Sequence, residues 1–487
     1  MNDVILAASL TALQPSFPHL PPEVHWLEVR ADLAGDVDVR ALREHFGGAL
    51  LYVLRGGVAA DRHARLLRAA RSYDFVELEP HDLVPELLEA IPPRQRVLAW
   101  YGCAAGLPAL RVRWKQLAEH EARLYRLVPA AQQTGDELDA LRLLRELRRD
   151  DVVAYAEGRA AMWTRVVAPQ FGAPCVFGNA DDERTDLGEP SAAQLVADYG
   201  FPTVHLADEL FAIAGAPVYR SLSPRLHNAA FRALGRRALY VPFLVEKFLP
   251  FWETLVAGGA LDELGLPLNA ICVVSPHKEV AVNAAKSKTP MVERALSTNF
   301  FIRNGDVWTA DTTDPEGVLI PLRERGLDVR DQTVAVVGCG GSGRAVAAAF
   351  QAAGAEVTLV NRGFERGSLA VRLLRLPFLP LASFSAERYS IVVNATPVGR
   401  DGMATPFDTD RLRDDAVVVD LVYGSKPTPL IASCRAAGQS AIDGTEVLLT
   451  QVRSQFRLMT GEEMPDHVAV RVLGPEAARL TAVPAAS

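Results

Sequence analysis

The sequence predicts an α/β fold in two parts: an N-terminal (β/α)8 barrel of the TIM type, then an α/β domain that leads into a Rossmann domain. Three observations carry this. Eight short apolar runs, VILAAS, VHWLEVRAD, ALLYVLRG, FVELEP, RVLAWYG, LYRLVPAA, VVAYAEG and PCVFG, alternate with helically periodic segments such as HARLLRAARS and TGDELDALRLLRELRRD. After YGFPTVHLADEL the pattern restarts with FAIAGAPVY, which sets a boundary near residue 207. Further on, TVAVVGCGGSGRAVAAAFQAAGAEVTLVNRG reads as strand, glycine turn, helix and strand. The expected domains are 1–207 for the barrel, 208–317 for the second α/β domain, rejoined by a C-terminal helix over 452–487, and 318–451 for the Rossmann domain.

The 487 residues, 49% of them hydrophobic, are enough for several buried cores. A formal net charge of -8 without any basic block argues against nucleic acid or an anionic membrane, so a small molecule is the expected partner. Cys103, Cys175, Cys272, Cys339 and Cys434 lie far apart without metal-ligand spacing. They predict small buried residues in a reducing compartment and no metal site. The opening MNDVILAASL lacks a cationic start and a cleavage site, and no apolar run is long enough to span a bilayer, so a cytoplasmic protein is expected. A homo-oligomer stays open.

In VVGCGGSGRA, Gly338, Gly340 and Gly343 take the G-x-G-x-x-G spacing, with Gly341 added. Such glycines allow a tight turn and let a pyrophosphate approach a helix N-terminus, where unpaired N–H groups favour anions. The next strand ends in Val360-Asn361-Arg362. An acidic residue there would hold a ribose 2′-hydroxyl, whereas arginine suits a 2′-phosphate. NADP is therefore the expected cofactor, with Asn361 and Arg362 at its site and Arg366 assisting; a plain surface arginine is the alternative.

Only six of the 51 basic residues are lysines, and one is Lys278 in SPHKE. Arginine keeps its proton near neutral pH, while a lysine in a suitable pocket can release it. Nearby stand VYRSLSPRLHNAAF, STNFF and ADTTDPEG, followed by NATPVG, DLVYGSKPTPLI and DGTEVLLTQ. Over about residues 211–474 these motifs resemble shikimate dehydrogenase, whose pattern has Ser-x-Ser-Pro then His-Asn, Pro-x-Lys, Val-Asn-Thr and Asn-Thr-Asp. The resemblance implies NADP-dependent interconversion of 3-dehydroshikimate and shikimate, in aromatic amino acid biosynthesis, with Lys278 and Asp314 as the catalytic pair. An amine beside a carboxylate can relay the proton that leaves an alcohol as hydride leaves carbon. By the same resemblance Ser221, Ser223 and Tyr423 hold the substrate carboxylate, and Asn299 and Gln451 bond its ring hydroxyls. Taken singly, Ser223-Pro224 reads as a helix cap, Gln451 as a surface residue and Asp314 as a turn residue. Lys286 and Lys288 read as solvated charges on a helix.

Three positions depart from the pattern. Its Val-Thr is Val273-Val274, its Asn-Thr is Asn299-Phe300, and its Asn-Thr-Asp is Thr312-Thr313-Asp314. One lost hydrogen bond at a ring hydroxyl is worth about 0.5–1.5 kcal/mol, so quinate or an amino analogue stays open as substrate.

In a (β/α)8 barrel the chemistry sits where strands end, which makes Glu28, Arg30, Arg55, Glu79 and Arg165 site candidates, or else ion pairs of the barrel mouth. LEVRAD, LLYVLR, FVELEP, LYRLVPAAQQTGDELDALRLL and MWTRVVAPQFG, within about residues 4–200, resemble type I 3-dehydroquinate dehydratase. That resemblance puts Glu28, Arg30, Arg55 and Arg165 at substrate-binding positions. The family's Schiff-base lysine and its histidine fall on Arg126 and Gly102, and neither replacement can do that chemistry. Lys115, in RVRWKQLAEH, reads as helix; His81 follows FVELEP at the barrel mouth; the family's Pro-Gly-Gln reads Leu187-Gly188-Glu189. The expectation is a barrel without dehydratase activity, kept for stability, oligomerisation or ligand binding. A bifunctional enzyme with an unrecognised nucleophile, and a non-catalytic sensor of NADP or a pathway intermediate, are the alternatives.

Overall fold

The structure, a computed structural model, describes residues 2–12, 17–56, 59–181, 189–424 and 426–474. Leu187, Gly188 and the part of the expected 452–487 helix from residue 475 onward lie outside the described residues; its described part is not one helix but two, Gly444–Thr460 and Asp466–Leu473, parted where Gly461 caps the first. The chain divides after Leu268 into two compact units.

In the first unit each of the eight apolar runs forms one strand: β1 (Ile5–Leu10), β2 (Trp26–Arg30), β3 (Ala49–Val53), β4 (Phe75–Leu78), β5 (Arg96–Gly102), β6 (Leu124–Pro129), β7 (Val152–Ala154) and β8 (Cys175–Asn179). They make one sheet in the order β7-β6-β5-β4-β3-β2-β1-β8. β1 pairs in parallel with both β2 and β8, so the sheet nearly closes into the expected barrel. Strands of an all-parallel sheet are covered on both faces, which is why these runs are mostly apolar rather than alternating, with Glu28, Glu77 and Arg126 as charged exceptions inside them. Ala7, Trp26, Leu51, Val97, Val153 and Phe177 belong to one buried cluster. Lys115 lies on the helix Gly106–Ala118, as read. Of the cysteines, Cys103 is exposed in the loop after β5, against the expectation of burial, and the other four are buried.

The same unit continues through β9 (Glu209–Gly215), the helix Ser223–Ala233 and β10 (Ala238–Leu244), with β9 and β10 parallel. This segment packs on the barrel. Trp163 meets Phe243 edge-on at 5.2 Å, and Arg225 pairs with Asp198 at 2.5 Å.

From its second residue, Asn269, β11 (Leu268–Val273) opens the second unit, followed by β12 (Phe300–Asn304) and β13 (Val307–Asp311), antiparallel in succession. Its Rossmann sheet is all parallel: β14 (Thr333–Val337), β15 (Glu356–Asn361), β16 (Phe378–Pro380), β17 (Ile391–Asn394), β18 (Val417–Asp420) and β19 (Ser440–Ile442). The order β16-β15-β14-β17-β18-β19 reverses direction between β14 and β17, the place where such sheets open a ligand crevice. Val334, Val336, Leu359, Val393 and Val419 form its core with Val346 and Phe350 of the glycine-turn helix. Lys286 and Lys288 are not helical as expected. Ser287–Lys288 is a two-residue strand paired with Thr309 and Ala310, so pairing to the edge of β13 overrides the helix propensity of the Ala and Lys residues. Asp314 is no turn residue but opens the helix Asp314–Glu324. Among the described residues no helix is long and apolar enough to cross a membrane.

Candidate active site

The glycine loop joins β14 to the helix Gly341–Ala352. Gly338 has φ +112°, and a Cβ there would stand 2.9 Å from the Ala395 carbonyl. A Cβ on Gly343 would lie 1.8 Å from the Gly338 oxygen, so only glycine lets helix and strand approach this closely. Gly340 differs: a Cβ there would meet only Arg366 Nη1, at 4.0 Å, leaving its outer side open. Asn361, at the end of β15, accepts a hydrogen bond from the Cys339 N–H at 3.2 Å. Arg362 and Arg366 are exposed and have no acidic partner among the described residues. An open glycine cradle at a helix N-terminus beside two uncommitted guanidiniums fits a dinucleotide carrying an extra phosphate.

SPHKE follows β11, and Lys278 Nζ lies 2.8 Å from each Asp314 carboxylate oxygen and 2.9 Å from Ser342 Oγ in the glycine loop. Asp314 is buried at the first position of its helix, where the dipole favours a carboxylate. Its Oδ1 also accepts from Asn299 Nδ2 at 2.9 Å and Gln451 Nε2 at 3.0 Å. Three expected site residues, Lys278, Asn299 and Gln451, thus converge on the carboxylate of a fourth, and the amides assigned to ring hydroxyls donate here to Asp314. Gln451 is no free surface residue. Thr313 N–H holds Asn299 Oδ1 at 2.8 Å, and Gln455 Nε2 donates to Thr313 Oγ1 at 3.0 Å. Sequence reasoning missed Ser342 and Gln455, and noted Thr313 only as part of a departure from the motif. Ser342 fills an unconstrained position of the glycine motif and gave no signal, whereas Gln455 stands one helical turn from Gln451, a spacing that could have drawn attention to it. Of the departures, Phe300 is fully buried in β12 and Val274 is half-buried. Tyr423 is half-buried in the loop after β18.

In the first unit Ser221 Oγ accepts from the Ser223 N–H at 3.2 Å. Ser223 is the first residue of its helix, Leu222 is the cap, and no side chain caps it, so Ser223 is not the helix cap. Asn228 fastens β10 by donating to Tyr240 O at 2.9 Å and accepting from Tyr240 N–H at 2.8 Å. His227 stacks on Tyr240 at 4.3 Å; burial lowers its pKa to about 3, so it is a neutral core imidazole.

Inside the barrel, Arg126 is the third residue of β6 and is almost wholly buried. It donates to Glu28, lies 3.4 Å from Glu77 Oε2 and donates to the Tyr155 hydroxyl at 2.7 Å. Tyr101 donates to Glu77 at 2.8 Å, and the Arg55 guanidinium lies 3.6 Å over the Tyr101 ring. Burial works to raise the Glu28 carboxyl, but the Arg126 and Arg55 charges overcome it and hold the group below its ordinary value. For Glu77 burial wins and the carboxyl is raised, with Arg126 opposing and Glu28 adding repulsion. The remaining barrel candidates are also ion-paired: Arg30 with Asp32 at 2.7 Å, Arg55 with Glu157 at 3.9 Å, Glu79 with Arg62 at 3.5 Å and Arg165 with Glu189 at 3.6 Å. Arg165 is not at a strand end as expected. It lies on the helix Met162–Val167, every residue of which is buried, and such an apolar run is indistinguishable from a strand by composition. Exposed His81 stands 3.7 Å from Asp82. Gly102 ends β5 with φ +139°.

Among known proteins, the chain is 35% identical over 261 residues to the shikimate dehydrogenase (NADP(+)) of Methanothrix thermoacetophila, covering 53% of this chain and 93% of that one. With that of Citrifermentans bemidjiense it shares 36% over 284 residues, or 94% of the relative. The chain belongs to the shikimate dehydrogenase family. Residues 25–204 match the type I 3-dehydroquinase family. The chloroplastic bifunctional 3-dehydroquinate dehydratase/shikimate dehydrogenase of Arabidopsis thaliana is 26% identical over 343 residues, covering 66% of this chain and 55% of the plant protein. The chain therefore joins a dehydroquinase-like barrel to a shikimate dehydrogenase. The Thermus thermophilus shikimate 5-dehydrogenase, solved with NADP(H) and shikimate, is 29% identical, covers 56% of this chain and 99% of its own, and has a TM-score of 0.48.

Proposed function

We propose that this chain is an NADP-dependent shikimate dehydrogenase of the cytoplasm, organised as barrel 1–207, substrate domain 208–317 and Rossmann domain 318–451, whose barrel does not dehydrate 3-dehydroquinate. One observation carries the dehydrogenase reading: Lys278 Nζ at 2.8 Å from both oxygens of Asp314, beside the glycine loop. Oxidising shikimate removes a proton from one hydroxyl oxygen and a hydride from the carbon that carries it. Lys278 takes the proton, and the Asp314 carboxylate stabilises the ammonium that forms. NADP, when bound, accepts the hydride. Gly338, Gly340, Gly341 and Gly343 would cradle its diphosphate, with Asn361, Arg362 and Arg366 at the 2′-phosphate. Ser221, Ser223 and Tyr423 supply hydroxyl donors for the substrate carboxylate, and Asn299 and Gln451 serve the ring hydroxyls.

The test is reduced-cofactor formation with shikimate, comparing NADP with NAD. Turnover preferring NADP is expected, and Arg362→Ala should lose about 10–100-fold in NADP affinity, the worth of one hydrogen bond to a charged group, while leaving NAD use unchanged. Silence with both shikimate and quinate would sink the reading in favour of a ligand sensor.

For the barrel, the carrying observation is that the Schiff-base position holds a buried guanidinium bonded to Glu28 and Tyr155. Arginine forms no imine with a ketone at neutral pH. Borohydride with 3-dehydroquinate is therefore expected to leave the protein mass unchanged. Arg126→Lys with Gly102→His should not restore turnover of 3-dehydroquinate, because the +139° φ of Gly102 is strained for any other residue, the base histidine included. A trapped adduct in the unsubstituted chain would establish the bifunctional alternative.

A further inference from the structure

We infer that Ser342 is a positioning residue for Lys278, through which the cofactor loop sets the direction of the acid–base amine; this rests on the dehydrogenase reading above. As an ammonium, Lys278 has three N–H donors, and its contacts are two Asp314 oxygens at 2.8 Å and Ser342 Oγ at 2.9 Å. As a neutral amine it keeps two donors and one lone pair. With one N–H on Asp314 and the other on Ser342, the lone pair has a single tetrahedral direction left. The substrate hydroxyl must present its proton there. Without Ser342 the amine rotates about its Cε–Nζ bond, and the lone pair leaves that direction for part of the time.

The serine is itself held in place. A Cβ on Gly341 would come within 2.5 Å of Ser297 Oγ and 3.1 Å of Lys278 Cβ, so the loop backbone rests on the stem of the lysine. Buried Arg344, two residues after Ser342, donates to the carbonyls of Ala295 at 2.8 Å and Leu296 at 3.0 Å. These contacts clamp the start of the glycine-turn helix to the segment that ends at Ser297. Ser342 Oγ therefore stands at a fixed place relative to Lys278.

The experiment measures steady-state kinetics of shikimate oxidation with Ser342→Ala and Ser342→Thr in the full chain, with NADP binding followed by fluorescence. Alanine should lower kcat about three- to tenfold, the value of one hydrogen bond, with KM for shikimate and NADP within about twofold. The solvent deuterium isotope effect on kcat should rise as proton transfer becomes slower, and threonine, which keeps the hydroxyl, should restore both. An alanine variant with unchanged kcat and isotope effect overturns the inference, as does one whose loss lies in the KM for NADP. If alanine does not fold, Ser342→Cys replaces it with the same expectations. Should the unsubstituted chain be silent with shikimate, the dehydrogenase reading fails first and the inference with it.

Discussion

Lys278→Ala is expected to bind NADP as the unsubstituted chain does and to lose about 10²–10⁴-fold in kcat for shikimate oxidation, the contribution of a positioned acid–base group. The loss belongs in kcat because, on the proposed mechanism, the amine acts on the hydroxyl proton in the transition state and adds little to ground-state binding. Lys278→Arg should not recover it, since a guanidinium bonded to Asp314 cannot take up a proton. Asp314→Asn should also fail, by a different route. It removes the charge that stabilises the ammonium, and Asn299 and Gln451 then face an amide where they now face a carboxylate, at 2.9 and 3.0 Å. Initial rates at saturating shikimate and NADP check all three variants. Retention of more than about a tenth of kcat in Lys278→Ala would remove lysine from the proton-transfer step.

The second large effect concerns stability. Arg126→Met is expected to destabilise the barrel by about 3–5 kcal/mol, because it leaves Glu28 and Glu77 buried together without the guanidinium bonded to both and with only the Arg55 charge nearby. The pH dependence distinguishes this from a packing defect. In the unsubstituted chain the Glu28 carboxyl is held below its ordinary value, so its contribution is present above the unfolded pKa and is lost as pH falls through the folded one. Glu77 runs the other way: its carboxyl is raised, so the folded state holds that proton more tightly and stability falls as pH rises through the folded value. With Arg126 gone both carboxyls are raised. The deficit should therefore shrink as pH is lowered from about 8 to about 5, where carboxyls of raised pKa regain their protons. Urea unfolding at several pH values measures it, and Glu28→Gln with Glu77→Gln in the same chain should recover most of the loss. A deficit that is independent of pH would mean that Arg126 contributes by packing on Phe177, 3.7 Å from its guanidinium, rather than by charge.

Much of this molecule was legible without coordinates, wherever the signal is local. Parallel strands covered on both faces are mostly apolar, so eight runs in sequence became eight barrel strands, with Glu28, Glu77 and Arg126 as charged exceptions inside them. The glycine turn was legible for the same reason, because positive φ and close approach of helix to strand admit only glycine at Gly338 and Gly343. Lys278, Asp314, Asn299 and Gln451 were singled out by motif, and all four meet at one carboxylate. What the sequence could not say was how polar groups are paired across long separations. Whether Arg126 is a ligand-binding cation or a buried counter-ion depends on Glu28, 98 residues away, and on Glu77 and Tyr155. Arg165 was taken for a strand-end residue because a wholly buried helix has no polar face to mark its period. Ser342 met Lys278 across 64 residues of chain, at a motif position that any small side chain satisfies. Backbone conformation is dictated by each residue and its neighbours, so it can be read along the chain, while the partner of a buried charge is chosen only when distant strands and loops come together.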